Sequence, residues 1–241
     1  VLANDIDEVY CTLPGTQDEK ILRIMNFAEK HMIRFYIVPE FYRNIKKSLV
    51  MEIMESIPLL AIRREPLQAA YNRALKRSFD IVFSLGVLLT IYPVLYVIIG
   101  TLIKITSPGP IFFKQKRTGL YGQEFECYKF RTMRVNADAD KLQAAKDDPR
   151  KTRFGDFLRR SNIDELPQFI NVFKGEMSIV GPRPHMLAHT ETYARLIDKY
   201  MVRHFIKPGV TGWAQIHGFR GETKELSQME ERVKADIWYM E

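Results

Sequence analysis

Asp164 and Glu165 are adjacent carboxylates in a stretch that otherwise carries Arg150, Lys151, Arg153, Arg159 and Arg160. A carboxylate whose anion is stabilised by neighbouring arginines, or by the backbone dipoles at a helix N-terminus, can act as a nucleophile toward phosphorus. The acid beside it can hold Mg2+ against a transferring phosphate, because Mg2+ takes hard oxygen ligands and shares them with its substrate. The pair also has a plainer reading, since an N-cap acid followed by a first-turn acid stabilises a helix start without doing chemistry. Arg183 stands between two prolines in Gly181-Pro182-Arg183-Pro184. A guanidinium makes paired hydrogen bonds to phosphate, and flanking prolines reduce the entropy lost in holding the fork still. The competing role for Arg183 is a structural salt bridge to Asp164, Glu165 or Glu176.

Other reactive side chains point to less. His185 and His189 are four residues apart, but Met186-Leu187-Ala188 between them lacks the glutamate of a zinc-protease helix. A polar surface or satisfied core role suits them better, and His217, in Gln215-Ile216-His217-Gly218, is a weak catalytic candidate. Ser107, Ser161 and Ser178 have no evident partner for serine-nucleophile chemistry. Trp213 and Trp238 read as core packing. Cys11 and Cys127 form neither a metal nor a redox motif, which suits a reducing compartment.

The elements that must position these residues alternate strand and helix. Ile6 to Thr12, Asp18 to His31 and Arg34 to Val38 read as strand, helix and strand, stopped by Pro14-Gly15 and Pro39. No glycine-rich nucleotide loop accompanies them, so they read as scaffold. Residues 49 to 65 read as strand or linker, and a domain boundary falls near 65 to 72. Ser107-Pro108-Gly109-Pro110 must turn, Ile111 to Gln115 and Glu124 to Phe130 read as short strands, and helices are expected over 136–145, 154–160, 186–204 and 224–240.

Between these halves lie 23 uncharged residues from Ile81 to Ile103. A straight helix of that length reaches about 34 Å against a hydrocarbon core of about 30 Å. Arg73, Lys76 and Arg77 precede the run, and Lys104, Lys114, Lys116 and Arg117 follow it. Basic residues favour the cytoplasmic side, so clusters at both ends argue against a simple crossing, and Pro93 should break the helix near its middle. A segment that bends around Pro93 and leaves by the face it entered, with Arg77 and Lys104 on that face, meets both constraints. A buried soluble helix and a straight span are the alternatives. The formal net charge of +7 suits an anionic leaflet or a phosphorylated substrate. Nucleic acid is disfavoured, because no zinc-finger spacing or RNA-binding consensus is present. The start, Val1-Leu2-Ala3-Asn4, carries no initiator Met, so the chain reads as an excised piece.

Ordered motifs from about residue 71 to 241 resemble the bacterial sugar transferases, the polyprenyl-phosphate hexose-1-phosphate transferases. These are Lys76-Arg77 with Phe79-Asp80, Ser107 to Gln115, Lys129-Phe130-Arg131-Thr132-Met133-Arg134, Asp164-Glu165-Leu166-Pro167-Gln168, Gly175-Glu176-Met177-Ser178, Val180 to Pro184, Lys207 to Gln215 and Arg220-Gly221-Glu222-Thr223. The sequence departs at Ser161-Asn162, where members often carry Thr-Ser, and at His217, where Asn is common. The resemblance implies an α/β fold: a monotopic membrane catalytic domain over 66–241, with a re-entrant helix at 81–103 and short strands, preceded over 1–65 by the remnant of a Rossmann-like domain. It implies a cytoplasmic-face enzyme of the bacterial inner membrane, in contact with anionic lipid, that moves a sugar 1-phosphate from a UDP-sugar to undecaprenyl phosphate and releases UMP. Asp164 would be the nucleophile, Glu165 would position Mg2+, and Arg159, Arg183, Lys129, Arg131 and Gln215 would bind substrate. UDP-glucose or UDP-galactose is the expected donor and a UDP-N-acetylhexosamine the alternative; a nonenzymatic membrane scaffold is the reading from another class, and a homo-oligomer is left open.

Overall fold

The computed structural model describes residues 8–12, 17–30, 33–38, 50–54, 57–61, 65–135, 148–221, 223 and 225–241. The chain divides into two compact units, Val1–Arg64 and Glu65–Glu241. In the first, β1 (Glu8–Cys11), α1 (Asp18–Lys30) and β2 (Arg34–Ile37) form a strand, helix and parallel strand, with Glu8 opposite Arg34 and Cys11 opposite Ile37. Parallel strands need a crossover, and α1 supplies it, its Asp18 and Glu19 matching the positive end of the helix dipole. The stretch read as strand or linker is an antiparallel hairpin of β3 (Val50–Met54) and β4 (Ile57–Ala61). Pro14-Gly15, Pro39 and the helix expected over 136–145 lie outside the described residues.

The second unit starts with two helices, α2 (Ala70–Leu89) and α3 (Ile91–Thr106), which meet at a bend of 52°. The break falls at Thr90, three residues ahead of the expected hinge at Pro93. The proline explains the offset: it has no N–H for the Leu89 carbonyl and its ring would crowd that carbonyl, so α2 stops at Leu89. Pro93 then occupies the first turn of α3, where its N–H would have no partner in any case. Among the described residues no single helix is long and apolar enough to cross a membrane, although the bent pair is so by length and composition. Val82, Leu89, Val97 and Ile105 are 72, 70, 64 and 75% exposed. This extends an uncovered apolar face over both helices, a feature soluble surfaces rarely carry.

The rest of the unit hangs on the inner side of that pair. The hairpin β5 (Phe112–Thr118) and β6 (Glu124–Phe130) is antiparallel, with Phe113 opposite Lys129. It is followed by α4 (Arg153–Ser161), a 3-10 turn at Ile163–Glu165, α5 (Gln168–Lys174) and β7 (Ser178–Val180). Next come α6 (Leu187–Leu196), a 3-10 helix at Tyr200–Phe205, β8 (Gly209–Thr211) parallel to β7, α7 (Trp213–Ile216) and α8 (Leu226–Met240). Ile99 and Ile103 of α3 pack with Phe130 and Leu158, and Tyr96, Phe112 and Phe130 stack in succession at 5.6 and 5.8 Å. The single helix expected over 186–204 is divided at Ile197, whose backbone is extended. The tryptophans depart from the core reading. Met229, Val233, Asp236 and Met240 occupy the buried face of α8, leaving Trp238 60% exposed and stacked on Trp213 at 4.2 Å.

Two side chains of α2 anchor this arrangement. Buried Asp80 accepts hydrogen bonds from the Ser178 hydroxyl at 3.0 Å and the Ile179 amide at 2.9 Å, joining α2 to β7. Arg77 donates to the Val172 and Phe173 carbonyls at the C-terminal end of α5, both at 2.7 Å, where a cation offsets unpaired acceptors. Arg77 thus has a packing role beside the flanking one its position in the basic cluster suggests. Asp80→Ala should cost about 2–3 kcal/mol, because a buried amide and hydroxyl lose their acceptor. Thermal unfolding in detergent measures this, and a loss under about 0.5 kcal/mol would contradict the anchoring role.

Candidate active site

Asn162 creates the turn that carries the two acids. It ends α4 in the left-handed region at φ 58°, a conformation asparagine tolerates better than most side chains, and sends the chain into the Ile163–Glu165 turn. Asp164 and Glu165 are consequently buried, 6 and 8% exposed. Their surroundings differ. Glu165 Oε1 accepts from Lys129 Nζ at 2.7 Å and Arg183 Nη2 at 2.6 Å, and Oε2 accepts from Arg183 Nη1 at 3.1 Å. Asp164 has no hydrogen-bond or ion-pair partner among the described residues.

Burial alone would raise the Glu165 carboxyl, but Lys129 and Arg183 overcome it and hold the group well below the usual carboxylate range. For Asp164 burial prevails: it pushes the carboxyl above its ordinary value, with Glu165 adding to the rise while Lys129, Arg159 and Arg183 oppose it. The expectation of an Asp164 anion stabilised by helix dipole and arginines is thereby altered. The cations nearest the pair spend their hydrogen bonds on Glu165, leaving Asp164 an unpaired, desolvated oxygen donor.

Asp164 lines a cavity of about 960 Å3 with Lys129, Arg159 and Arg183. Strand β5 runs along this cavity. At its start the wall is apolar, formed by Tyr96, Ile111, Phe112, Phe113 and Val135 with Lys104 of α3 nearby; toward its end come Gln115, Arg117, His189, Thr223 and Arg232. The six residues from Phe112 to Arg117 span about 17 Å, long enough for the two ends to serve different parts of a substrate. Arg183 is held by its backbone: Gly181 N donates to Thr211 O and Gly209 N to Pro182 O, each at 2.9 Å, and Arg203 donates to the Arg183 carbonyl at 2.8 Å. A side chain at Gly181 or Gly209 would collide with the facing backbone, so the glycines of those motifs permit this close approach.

The remaining expected site residues divide. Arg159 lines the cavity and donates to the Thr132 hydroxyl at 3.1 Å. Arg131 lines it too, but its guanidinium grips the Ser107 and Pro108 carbonyls at 2.6 and 2.7 Å and shapes the turn at Gly109, where φ is 127°. Gln215 lies on α7 outside the lining, with a buried Oε1 that lacks a hydrogen bond. His217 is exposed and stacks on Trp213. His185 is the satisfied core histidine its context suggested, bonded to Tyr200 at 2.6 Å and Arg203 at 2.8 Å. Arg117, His189 and Arg232 enter the lining without a sequence motif to announce them; spacing of Arg232 from Met229 and Asp236 on one helix face was the available signal.

Among the described residues, no three His, Cys, Asp or Glu side chains gather as a metal cage. Mg2+ needs none, since one or two carboxylates and substrate phosphate commonly suffice. The unpaired Asp164 carboxylate and Glu165 Oε2, with its single 3.1 Å hydrogen bond, fit that mode.

An arginine-lined cavity with a buried, unpaired acid, in a unit that also carries an uncovered apolar helix pair, defines a site suited to anions. The chain belongs to the bacterial sugar transferase family, which residues 71–241 match. It is 44% identical over 241 residues to the UDP-glucose:undecaprenyl-phosphate glucose-1-phosphate transferase of Escherichia coli K12, covering 99% of this chain and 51% of that protein. The protein of the same name from Xanthomonas campestris is 41% identical over 240 residues, covering 98 and 49%. The UDP-N-acetylgalactosamine-undecaprenyl-phosphate N-acetylgalactosaminephosphotransferase of Aeromonas hydrophila is 39% identical over 168 residues, covering 69 and 39%. The chain thus spans about half the length of the first two relatives.

The two acids should respond oppositely to neutralisation. Asp164, raised by burial, disfavours the fold once pH climbs through its folded-state value, so Asp164→Asn should raise the melting temperature by a few degrees at pH 7.5. That gain should shrink as pH falls through the raised folded-state value of the wild-type carboxyl, where it takes up its proton. Glu165, depressed by its cations, stabilises the fold above the ordinary glutamate range and ceases to as pH falls through its lowered value. Glu165→Gln should cost roughly 3 kcal/mol at pH 7.5 by leaving Lys129 and Arg183 uncompensated. Thermal unfolding across pH tests both, and an Asp164→Asn protein that melts below wild type would contradict the unpaired state of Asp164.

Proposed function

We propose that this protein transfers a sugar 1-phosphate from a UDP-sugar to undecaprenyl phosphate. The observation that carries the reading is the unpaired Asp164 carboxylate in the wall of the arginine-lined cavity. Its oxygen attacks the phosphorus bearing the sugar, the bond to the bridging oxygen of the diphosphate breaks, and UMP leaves with that electron pair. An oxygen of the lipid phosphate then attacks the same phosphorus and Asp164 departs as a carboxylate. A desolvated, unpaired carboxylate is more reactive toward phosphorus than one spent on a salt bridge, and Arg183 and Arg159 supply fixed donors where charge redistributes. Lys129 and Glu165 set the position of Arg183. Glu165, with Asp164 beside it, would hold Mg2+, which supplies charge neutralisation on the diphosphate when bound.

Donor identity follows the relatives. UDP-glucose is the first choice, supported by the names of the Escherichia and Xanthomonas proteins, and UDP-galactose stands beside it as the other neutral hexose donor. The Aeromonas relative supports a UDP-N-acetylhexosamine as the second. The lipid acceptor fits the apolar end of the cavity, beside α3. The bent pair α2 and α3 is read as a re-entrant insertion into the inner membrane from its cytoplasmic face, where basic side chains meet anionic lipid, and residues 1–65 as the remnant of a Rossmann-like domain. The uncovered apolar face and the break at Thr90 support the insertion.

Incubating the protein with undecaprenyl phosphate, Mg2+ and each of these UDP-sugars should release UMP and form a lipid-linked product, fastest with one of the hexoses. Release of no UMP from any donor would leave the membrane scaffold as the better reading.

A further inference from the structure

Arg232 is a buried charge in the cavity wall that the proposed reaction does not use. It projects from α8 into the cavity lining and is only 5% exposed. Its Nη2 donates to the Gly221 carbonyl at 2.8 Å, while its Nε is buried without a hydrogen bond. Among the described residues no carboxylate pairs with it. The nearby acid, Asp236, forms its ion pair with Arg203 instead, at 2.8 Å between groups 3 and 1% exposed. One carboxylate therefore faces two buried guanidiniums. His185 adds no negative charge, and Arg203 also lends its donors to His185 and the Arg183 carbonyl. Burial and the neighbouring Arg203 lower the Arg232 pKa, with Asp236 opposing, as expected of a cation short of counter-charge. A buried cation costs several kcal/mol unless paired. With no acid partner among the described residues, the cavity that Arg232 lines is the route by which an anion from outside the chain can reach it.

We infer that Arg232 binds the phosphate that leaves with the nucleoside, so that the donor's nucleotide half occupies the α8 end of the cavity and the lipid acceptor the α3 end. This rests on the proposed reaction and deepens it. Position along β5 distinguishes the two phosphates. The α8 end carries Arg117, His189 and Thr223, which suit a ribose and a hydrogen-bonding base, whereas Tyr96, Ile111 and Phe113 at the other end suit an isoprenoid chain. Asp164 lines the same cavity near Lys129, the cross-strand partner of Phe113, so its carboxylate borders the apolar end. The nucleotide can then leave from one end while the sugar phosphate remains on Asp164 for an acceptor approaching from the other.

The test measures UMP binding to the full chain in detergent, and separately the KM for UDP-glucose and for undecaprenyl phosphate. Arg232→Met should weaken UMP by about tenfold or more and raise the donor KM, with the acceptor KM unchanged within about twofold. Arg232→Lys should recover part of the UMP affinity, because it restores charge without the planar fork. If Arg232→Met does not fold, Arg232→Lys decides alone: UMP affinity below wild type supports the assignment, and equal affinity overturns it. A lower melting temperature with unchanged UMP affinity marks a structural arginine and overturns it. So does a loss confined to the acceptor KM, or a wild-type protein that binds no UMP at millimolar concentration. A wild type that binds UMP through Arg232 yet releases none from UDP-sugars would sink the proposed reaction and leave this anion site standing.

Discussion

The carboxylate of Glu165, shared between Lys129 and Arg183, is the interaction on which the rest of the site depends. Lys129 comes from the β5–β6 hairpin, Glu165 from the turn after α4, and Arg183 from the segment after β7. Three separate parts of the unit are therefore tied at one acid, buried enough that charges left unpaired there would be costly. The same bonding separates two neighbouring carboxylates. Glu165 is surrounded and held ionised, whereas Asp164, one residue away and equally buried, receives none of those hydrogen bonds. Pushing apart the properties of adjacent acids is how a structural ion and a reactive one can share a turn.

The framework behind this cluster is built from the membrane-like helix pair inward. Asp80 and Arg77 attach α2 to β7 and α5, and the Ile99 and Ile103 face of α3 packs on Phe130 and Leu158. Tyr96 and Lys104, both on α3, also line the cavity. A change in the seating of α3 would thus move one wall of the site directly. In the proposed reaction, this coupling sets the lipid-facing end of the cavity at a fixed height from the apolar helix face.

Much of this was legible in the chain itself. The strand, helix, strand order of residues 8–37, the hairpin around Gly119 and Gly122, and α4 and α8 follow hydrophobic periodicity and turn residues. The bend in the apolar run followed from Pro93, but its location at Thr90 depends on the clash between a proline and the carbonyl four residues before it. Strands β7 and β8 have three residues each, too short for an alternation to register, and their pairing rests on close backbone approach at Gly181 and Gly209. The site was legible as a set of charges but not as a pairing scheme. Nothing local indicates that Arg183 pairs with Glu165 while Asp164 remains free, that Arg131 holds a turn, or that Arg232 meets no acid among the described residues. Those distinctions are long-range, set by which carboxylate each guanidinium reaches after folding.

In the proposed reaction the free carboxylate of Asp164 takes the sugar phosphate. Rapid-quench mass spectrometry of the protein mixed with a UDP-sugar and Mg2+, without lipid acceptor, addresses it most directly. A sugar-phosphate adduct on the peptide containing Asp164, absent in Asp164→Asn, is the predicted result. Robust turnover with acceptor but no adduct at any quench time, or an adduct on another residue, would contradict it.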